Sequence, residues 1–516
     1  MALNAESGAA AKSQEFVADI CLILEGTYPY VRGGVSSWVH QIITGLPEFS
    51  FALLFIGDKA SNYGSLHYSL PKNVISLTQI FLIPEEDSPE PRQKEGDPKA
   101  YLAIKKLHSH FREFTSPDLD KILEDVMRHL YELQSIDLSS FLYSRASWNF
   151  ITENYDKFSS ENSFLDYFWT IRAMHGPLFS LISSIAKAPK ARVYHSISTG
   201  YAGLFGVMLY TLFHRPFMLT EHGIYTKERK IDLAQIDWIN EVTDLYSSSL
   251  NKDFSYLRQL WIRFFESMGR LTYQTAKPIL AITEGNRQRQ IMDGAQPDNV
   301  SVIANGVDLK RFMHLRERPH DPPPIIGFIG RVVPIKDVKT FIRAMRSICT
   351  HIPAAQAWII GGEEEDPKYA QECRDLIASL DLKDQIIYKG FCNVAEVMAE
   401  IGVIVLSSIS EGLPLVILEA YASGLPVIAT DVGSCRELIE GGSDADKALG
   451  LSGAVVPIAA AEALADEVVK ILSNSEKWEA TRTAAMRRVD TYFNQDLLFE
   501  KYRSLYQTVL SSSWQA

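Results

Sequence analysis

Two carboxylates, Glu411 and Glu419, lie eight positions apart, with a glycine, a proline and a short apolar run between them. Gly412 and Pro414 suit a tight loop that leads into a helix starting near Leu415, with the proline just inside its first turn. The free amides and the positive dipole end of such a helix bind anions. One acid would therefore precede an anion site and the other would follow it. A diphosphate flanked by two hydroxyl-rich groups, as in a nucleotide-sugar, matches this arrangement.

The spacing of the two acids excludes the catalytic pair of a retaining glycosidase. The carboxyl groups of such a pair lie about 5–5.5 Å apart. Eight helical residues rise roughly 12 Å, and a path through a loop and a helix is no shorter. Hydrolysis by these two carboxylates is therefore not expected.

Two cations, Arg331 and Lys336, lie in one predicted strand-to-helix loop. The buried strand Ile325–Ile329 precedes them, and Asp337 is a fair N-cap for the helix that follows. Doubly wound sheets bind ligands at this carboxyl edge of their strands. Arginine can bind two oxygens at once and lysine supplies a point charge, so the pair suits a diphosphate. Two solvated surface cations are the alternative interpretation.

Glycines and histidines mark the carboxyl edge of an earlier sheet. Gly33 and Gly34 lie at the start of the first predicted helix, where adjacent glycines allow a phosphate close to the backbone. His195 and His222 each close a predicted strand. For His195, a structural role in fixing a loop is as reasonable as a functional one. The position of His222, between Glu221 and a glycine, favours a functional role for this histidine.

Bulk properties exclude several classes of protein. The chain has 516 residues, which favours two large domains, and a net charge of −12, which gives no electrostatic case for binding nucleic acid or an anionic bilayer. Its five cysteines are scattered without metal-type spacing, which is typical of reduced cytosolic thiols. The N-terminus lacks a secretory signal pattern, and the longest apolar run is too short for a membrane span. We expect a cytoplasmic protein that partners recruit to the inner membrane, if it is recruited at all.

Short apolar runs alternate with amphipathic helical patterns, which favours parallel strands joined by crossover helices. The predicted strands are Ile20–Leu24, Ala52–Ile56, Val74–Ser76, Arg192–His195, Phe217–Thr220, Ile279–Thr283, Val300–Ala304, Ile325–Ile329, Ala357–Ile360, Gln385–Tyr388, Val403–Leu406 and Pro426–Ala429. Residues 84–190 interrupt this alternation as an inserted helical region. Its many aromatic side chains favour a buried core; a carbohydrate-stacking or partner-docking surface is the alternative.

A set of motifs along the chain resembles the retaining glycosyltransferases of family 4, from about residue 18 to the C-terminus. The motifs are Gly33-Gly34, His222, Asn305-Gly306-Val307-Asp308, Arg331 with Lys336, and Glu411 spaced from Glu419. The resemblance implies an α/β protein with the GT-B fold, in which two doubly wound Rossmann-like domains face a cleft. These domains would be residues 1–315, on the acceptor side, and 325–488, which binds the nucleotide-sugar. A linker, 316–324, would join them, and a helix, 489–516, would cross back to the first domain.

The same resemblance implies a role for each matching position. Arg331 and Lys336 would bind the donor diphosphate and neutralise the leaving group. Glu411 would contact hydroxyls of the transferred sugar, Glu419 would take the ribose hydroxyls, and His222 would contact the sugar ring. The other donor-binding positions implied are Gly33, Gly34, Asn305, Phe391, Cys392, Gly412, Leu413, Pro414 and Leu415.

Neither a metal nor a cofactor is expected. Breaking an anomeric bond to a diphosphate builds negative charge on the leaving oxygens, which two fixed cations and a helix N-terminus would stabilise. The sequence has no Asp-x-Asp pair in a suitable strand-end loop to hold a divalent ion.

The expected donor is a UDP-sugar, with UDP-glucose as first choice, and the expected acceptor is a growing exopolysaccharide or related glycan. Inner-membrane polysaccharide synthase proteins are candidate partners. The alternatives are a nucleotide-sugar epimerase or a phosphorylase of the same fold, or a non-catalytic nucleotide-sugar-binding subunit of a synthase.

Overall fold

The computed structural model of the protein describes residues 17–83, 94–113, 119–235 and 256–512. It contains two β-sheets whose strands alternate along the chain with helices. The chain forms two compact units. One comprises the described parts of Met1–Leu219, Arg229–Lys277 and Gln507–Ala516, and the other comprises Thr220–Glu228 and Pro278–Tyr506. The predicted domain bounds stay a prediction.

Seven strands form the first sheet, in the order β3-β2-β1-β4-β5-β6-β7. They are β1 (Ala18–Glu25), β2 (Phe51–Gly57), β3 (Val74–Phe81), β4 (Ala191–Ser196), β5 (Phe217–Glu221), β6 (Ile279–Ala281) and β7 (Val300–Val302). The seven strands predicted for this half are confirmed, with bounds shifted by a few residues. β1 pairs in parallel with both β2 and β4. Strands of a parallel sheet are buried on both faces, which explains why β2 is buried along its whole length.

The helices of the first half are α1 (Gly34–Gly45), α2 (Pro98–Glu113), α3 (Leu119–Met127), α4 (Leu138–Tyr143), α5 (Arg145–Phe158), α6 (Phe164–Ser183), α7 (Tyr201–Phe213), α8 (Tyr225–Gln235), α9 (Tyr256–Thr275) and α10 (Glu284–Met292). The inserted region between β3 and β4 is helical, as predicted. The predicted start of the insertion, at residue 84, lies outside the described residues.

The aromatic side chains of the insertion do not all lie in its core. Phe150 and Tyr167 are buried as expected, whereas Trp148 and Trp169 are 52% and 57% exposed. The prediction of a fully buried aromatic core is therefore wrong for the two tryptophans. They lie on outward-facing positions of α5 and α6, and an indole can pack one edge against Phe168 and leave the rest in solvent.

Six strands form the second sheet, in the order β10-β9-β8-β11-β12-β13. They are β8 (Ile325–Ile329), β9 (Gln356–Ile360), β10 (Ile386–Gly390), β11 (Val403–Leu406), β12 (Val427–Thr430) and β13 (Gly453–Val456). Five of the six were predicted, two of them with the same bounds. β13 was missed because it is four residues long and begins with glycine, and so short an apolar run carries no periodicity.

The helices of the second half are α11 (Leu309–Phe312), α12 (Val338–His351), α13 (Pro367–Ser379), α14 (Val394–Met398), α15 (Leu415–Ala422), α16 (Cys435–Glu440), α17 (Asp444–Lys447), α18 (Ala461–Leu472), α19 (Ser475–Tyr492) and α20 (Gln495–Ser512). Of all the helices within the described ranges, none has the length and apolar character that a bilayer span requires. The final helical stretch is interrupted between α19, which ends at Tyr492, and α20, which begins at Gln495.

The predicted linker, residues 316–324, contains no helix or strand, in agreement with its run of prolines. It is nevertheless anchored. Arg318 donates hydrogen bonds to the backbone carbonyls of Met398, at 2.8 Å, and Ile401, at 2.9 Å. Arg316 forms an ion pair with Asp490 at 2.7 Å. These contacts fix the segment to the unit that contains the second sheet.

Candidate functional site

Two loops at the carboxyl edge of the second sheet are joined by hydrogen bonds. One follows β8 and carries Lys336, and the other connects β11 to α15 and carries Glu411. Ser407 donates from Oγ to the carbonyl oxygen of Lys336 at 3.0 Å. The amide of Ile409 donates to the carbonyl of Ile335 at 2.8 Å. The backbones therefore bring the predicted cation and the predicted acid side by side.

The side chains of these two loops form a largely buried ion pair. Nζ of Lys336 lies 2.5 Å from Oε1 of Glu411, and the side chains are 20% and 11% exposed. Oγ of Ser408 donates to the same carboxylate oxygen at 2.5 Å. The carboxylate is thus held by two donors, and the ammonium has protons left for a further acceptor. The structure brings these predicted residues into contact, while their roles in a reaction stay a prediction.

Gly433, which was not predicted as a site residue, lets the Glu411 loop pack closely against the chain after β12. Gly433 has a φ of +53°, and a Cβ at this position would lie 2.3 Å from the carbonyl oxygen of Glu411. The next residue, Ser434, donates from its amide (3.0 Å) and from Oγ (2.9 Å) to the carbonyl of Gly412. The place of Gly433 just after the end of β12 was readable from the sequence, but the contact that requires glycine there was not.

Arg331 lies in the same loop as Lys336 but has a different partner. Its guanidinium forms an ion pair with Glu365, and both side chains are more than half exposed. The neighbouring acids also have protein partners, since Glu363 pairs with Arg374 at 2.5 Å and Asp366 caps α13. Within the described residues, no group of three His, Cys, Asp or Glu side chains is arranged to hold a metal ion. A metal-free reaction stays a prediction.

The helix after the loop, α15, begins at Leu415 as predicted. Pro414 is the N-cap residue and not the first helical residue, which corrects the expected position by one. Leu413 and Pro414 are buried, so they position the loop from its inner side, whereas Gly412 and Leu415 are partly accessible.

Glu419 lies one turn into α15 in a partly buried position. Burial raises the pKa of its carboxyl group, and the charge of Arg311 opposes this shift. Arg311, on α11, was not predicted as a site residue. It also donates a hydrogen bond of 3.4 Å to the side chain of Asn393.

The turn after β10 contains the positions predicted to hold the base. Gly390 ends the strand with a φ of +64°, a conformation that favours glycine. Phe391 follows with 78% of its surface exposed. Cys392 is half-buried and packs against the hydrophobic core of the second sheet. The turn therefore presents backbone and an aromatic ring at its tip.

His222 follows β5 and lies in the unit that contains the second sheet. Glu221 fixes this turn by accepting from the amide of Tyr225, at 3.2 Å, and from Nε2 of Gln290, at 3.0 Å. Burial lowers the pKa of His222 to about 3. A Cβ at Gly412 would lie 2.8 Å from the carbonyl of His222. The histidine turn and the Glu411 loop are therefore in contact, and glycine is required there.

His195, the other predicted strand-end histidine, is completely buried in β4. Its ring lies edge-on to that of Trp38, with 6.5 Å between the ring centroids. This environment favours the structural interpretation of His195 over the functional one.

Gly33 and Gly34 lie at the start of α1, in the unit that contains most of the first sheet. Gly33 is the N-cap residue, and its φ of 168° is extended backbone that any residue can adopt. A Cβ at this position would meet no atom within 4 Å. Packing therefore gives no reason for glycine at residue 33. The absence of a side chain there leaves the backbone beside the helix N-terminus accessible.

The Asn305-Gly306-Val307-Asp308 motif has a clear structural role. A Cβ at Gly306 would lie 2.5 Å from Cα of Gln495. Val307 donates to the carbonyl of Phe493 at 2.8 Å, and Asp308 caps α11. These contacts hold the break between α19 and α20. Asn305 is buried, and its Oδ1 has no hydrogen-bond partner among the described residues. Its donor-binding role stays a prediction.

Known protein families match both halves of the chain. Residues 18–298 match the family described as "Domain of unknown function (DUF3492)", and this match covers more than half of the 516 residues. The chain belongs to the DUF3492 family. Residues 311–488 match "Glycosyl transferases group 1". The second half of this DUF3492 protein is therefore a glycosyltransferase group 1 domain.

Two curated relatives are similar to parts of this chain. The putative colanic acid biosynthesis glycosyltransferase WcaL of Salmonella typhimurium is 29% identical over 226 residues, which are 42% of this chain and 53% of the relative. The alpha-maltose-1-phosphate synthase of Mycolicibacterium smegmatis is 24% identical over 293 residues, 53% of this chain and 69% of the relative. The chain thus spans about half the length of the first relative and about two thirds of the second.

Solved structures show the fold of this glycosyltransferase. Alr3699/HepE of Anabaena, crystallised in complex with UDP, has a TM-score of 0.59 at 14% identity and covers 95% of this chain and 100% of its own. Sucrose-phosphate synthase of Thermosynechococcus elongatus has a TM-score of 0.59 at 17% identity, with 96% and 100% covered. These likenesses confirm the predicted GT-B fold with two Rossmann-like domains.

Proposed function

We propose that this glycosyltransferase moves a hexose from a UDP-sugar, with UDP-glucose as first choice, to a growing exopolysaccharide or a related glycan. The reaction retains the anomeric configuration and uses no metal ion. The observation that carries the proposal is the buried contact of Lys336 with Glu411 in the loop before α15, with Arg331 in the same loop as Lys336.

The proposed mechanism rests on where charge develops. As the bond between the anomeric carbon and the diphosphate breaks, negative charge builds on the leaving oxygens. Lys336, Arg331 and the N-terminal amides of α15 would stabilise that charge, because fixed donors in a partly water-excluded site need little reorganisation. No protein base or metal is needed to make UDP a leaving group under this arrangement.

The carboxylates would orient the donor on either side of its diphosphate. Glu411 would accept hydrogen bonds from hydroxyls of the transferred sugar, and Glu419 from the ribose hydroxyls. His222, which is neutral at physiological pH because burial lowers its pKa, would contact the sugar ring as a hydrogen-bonding group and not as a cation. Neither acid acts as a nucleophile, and the acceptor would enter on the face from which the diphosphate leaves.

Several observations support the choice of substrates. HepE, which shares the fold, was crystallised with UDP bound, and WcaL is named as a glycosyltransferase of colanic acid biosynthesis. The pattern Leu24–Val39, the helical insertion and the segment Thr220–Arg229 resemble PelF, the cytosolic glycosyltransferase of Pel exopolysaccharide biosynthesis. An exopolysaccharide acceptor, and inner-membrane synthase proteins as partners, follow from that resemblance.

Titration calorimetry of the full chain against UDP, GDP and ADP tests the donor assignment. We expect UDP to bind most tightly and Lys336→Ala to weaken it, with a far-ultraviolet circular dichroism spectrum like that of the wild type. Lys339→Ala, three residues away, is the matched control and should bind UDP normally. Equal binding of UDP by Lys336→Ala and the wild type would contradict the assignment.

Incubation with UDP-glucose alone separates the proposal from its alternatives. A transferase releases UDP slowly at most, an epimerase converts the sugar, and a non-catalytic subunit releases none even when glycan is added. Conversion to a second UDP-sugar would replace our proposal by the epimerase. Glucose 1-phosphate formation from a glycan and phosphate would replace it by the phosphorylase.

A further inference from the structure

A pocket of about 620 Å³ lies in the first unit, beside the edge strand β3 and the inserted helices. It is lined by Phe81, Tyr131, Gln134, Asp137, Phe179 and Lys187, among others. None of its lining residues belongs to the candidate donor site. Pockets of roughly 300–1,000 Å³ are typical of small-molecule sites in proteins. The volume is therefore sufficient for a ligand, and the lining must indicate which one.

One wall of the pocket has unusual backbone geometry. Residues Arg128–Glu132 form a π-helical turn, a rare conformation that is frequent at functional sites. Just after it, Gln134 has a φ of 47°, which strains a residue that carries a side chain. The turn is fixed from behind, because Ser135 donates from its amide to the carbonyl of His129 at 2.9 Å. The geometry places Gln134, which is exposed, at the mouth of the pocket.

The pocket combines an apolar floor with a polar rim. Ile80, Phe179 and Ile182 lie on the floor and are all buried. At the rim, the side chains of Gln134 and Lys187 make no hydrogen bond or ion pair within the described part of the chain, so an amide and an ammonium are available to a ligand. A ligand that fits must therefore have both apolar surface and several hydrogen-bonding groups.

The charge of the lining argues against a nucleotide or a phosphate. Asp137 accepts from the amide of Ser140 at 2.6 Å and lies 3.6 Å from Lys94, so its charge is partly balanced. Lys187 is then the one cation of the rim among the described lining residues. Phosphate groups are usually bound by clusters of cations or by helix N-termini. A neutral ligand fits this lining better.

We propose that this pocket binds a segment of the neutral oligosaccharide chain that the enzyme extends. The proposal rests on the proposed glycosyltransferase function. A pyranose ring has apolar C–H faces and a rim of hydroxyls, which matches the apolar floor of Ile80, Phe179 and Ile182 and the polar rim of Gln134 and Lys187. Holding the chain at a second point would raise the local concentration of its reacting end.

Filling the pocket tests this proposal. Ser183 is an exposed lining residue of α6 whose hydroxyl donates only locally, to the carbonyl of Ser180 at 3.0 Å. Ser183→Trp should occupy the pocket without disturbing the core. Gln134→Gly is a second variant, since it removes the amide and relieves the positive φ. Ser160→Trp, at an exposed serine outside the pocket lining, is the matched control.

Binding is measured by titration calorimetry of the full chain with cellohexaose, maltohexaose and chitohexaose, and with UDP in parallel. We expect at least one hexasaccharide to bind the wild type and Ser160→Trp equally. Ser183→Trp should bind it about tenfold more weakly or not at all, with unchanged UDP affinity and unfolding temperature. If Ser183→Trp has a lower unfolding temperature than the wild type, Gln134→Gly is used instead and should bind the hexasaccharide more weakly.

Two results would overturn the pocket proposal: no hexasaccharide binds the wild type, or Ser183→Trp and Gln134→Gly both bind it as tightly as the wild type. These results are separate from the donor assignment. If the wild type binds a hexasaccharide but does not bind UDP, the donor assignment is contradicted and the pocket proposal is not. Lys336→Ala should bind UDP more weakly than the wild type and keep its affinity for the hexasaccharide.

Discussion

Replacing Lys336 by methionine removes the ammonium group and keeps most of the side-chain volume. In the folded protein this ammonium lies 2.5 Å from the carboxylate of Glu411, and the two side chains are 20% and 11% exposed. The substitution leaves the carboxylate with the hydroxyl of Ser408 as its remaining described donor. We expect the free energy of unfolding to fall by about 1–3 kcal/mol, the cost of a buried polar group that loses one partner. A fully buried ion pair would cost more.

The effect on catalysis should be larger than the effect on stability. Removing one fixed donor from the site of developing charge typically lowers kcat by about 10²–10³, or roughly 2.7–4 kcal/mol. The assay is UDP release from UDP-glucose at saturating donor, with water or a glycan as acceptor. Thermal unfolding of the same samples separates loss of chemistry from loss of fold.

Lys339→Met provides the matched control for this substitution. Lys339 pairs with Glu372 at 2.7 Å, but these side chains are more exposed, at 28% and 44%. Such a pair stabilises a protein by about 1 kcal/mol or less, and we expect normal UDP release. If Lys336→Met keeps a kcat near that of the wild type, or if Lys339→Met loses as much activity, the assignment of Lys336 to the leaving group is refuted.

Three further predictions concern residues around this pair. Glu365→Gln should lower the KM for the donor by a few fold, because it frees Arg331 from its ion pair. This change corresponds to the free energy of an exposed ion pair and would be measured by steady-state kinetics at low salt. Gly33→Ala should unfold at the wild-type temperature, since a Cβ meets no atom within 4 Å, yet bind UDP more weakly in calorimetry. His222 has a pKa of about 3, so the free energy of unfolding should fall as pH falls from about 6.5 towards 3. His222→Asn should reduce that slope in denaturant titrations.

Most of the strands were predictable because a strand buried on both faces is a continuous apolar run. β8 and β11 have the predicted bounds, and α12 begins after Asp337 as its capping pattern predicted. The exposed positions of Trp148 and Trp169 were not predictable in the same way. Composition gives the number of aromatic residues in a helical region but not the direction in which each helix faces its neighbours.

Within the site, the residues that end up at the carboxyl edge of the second sheet were predictable, whereas several of their individual contacts were not. Glu411 and Lys336 were expected at the same sheet edge, and they are in contact. The ion pair of Arg331 with Glu365 joins residues 34 positions apart across neighbouring strand ends, and no local pattern indicates it. Gly433 is similar, because its need for glycine arises from the carbonyl of Glu411 and not from its own neighbours in sequence.

The two cations of the proposed donor site differ in what a diphosphate must displace. The ion pair of Arg331 with Glu365 is exposed, so exchanging Glu365 for a phosphate oxygen costs little. Lys336 lies in a mostly buried pair, but an ammonium has three protons and can keep Glu411 while it donates to an oxygen of the leaving group. Under the proposed function, Lys336 would therefore link the acid that orients the sugar to the charge that develops as the bond breaks. This link predicts that Glu411→Gln lowers kcat more than it raises the Kd for UDP, because UDP lacks the sugar that Glu411 would hold. Equal effects on both would place Glu411 at the diphosphate instead.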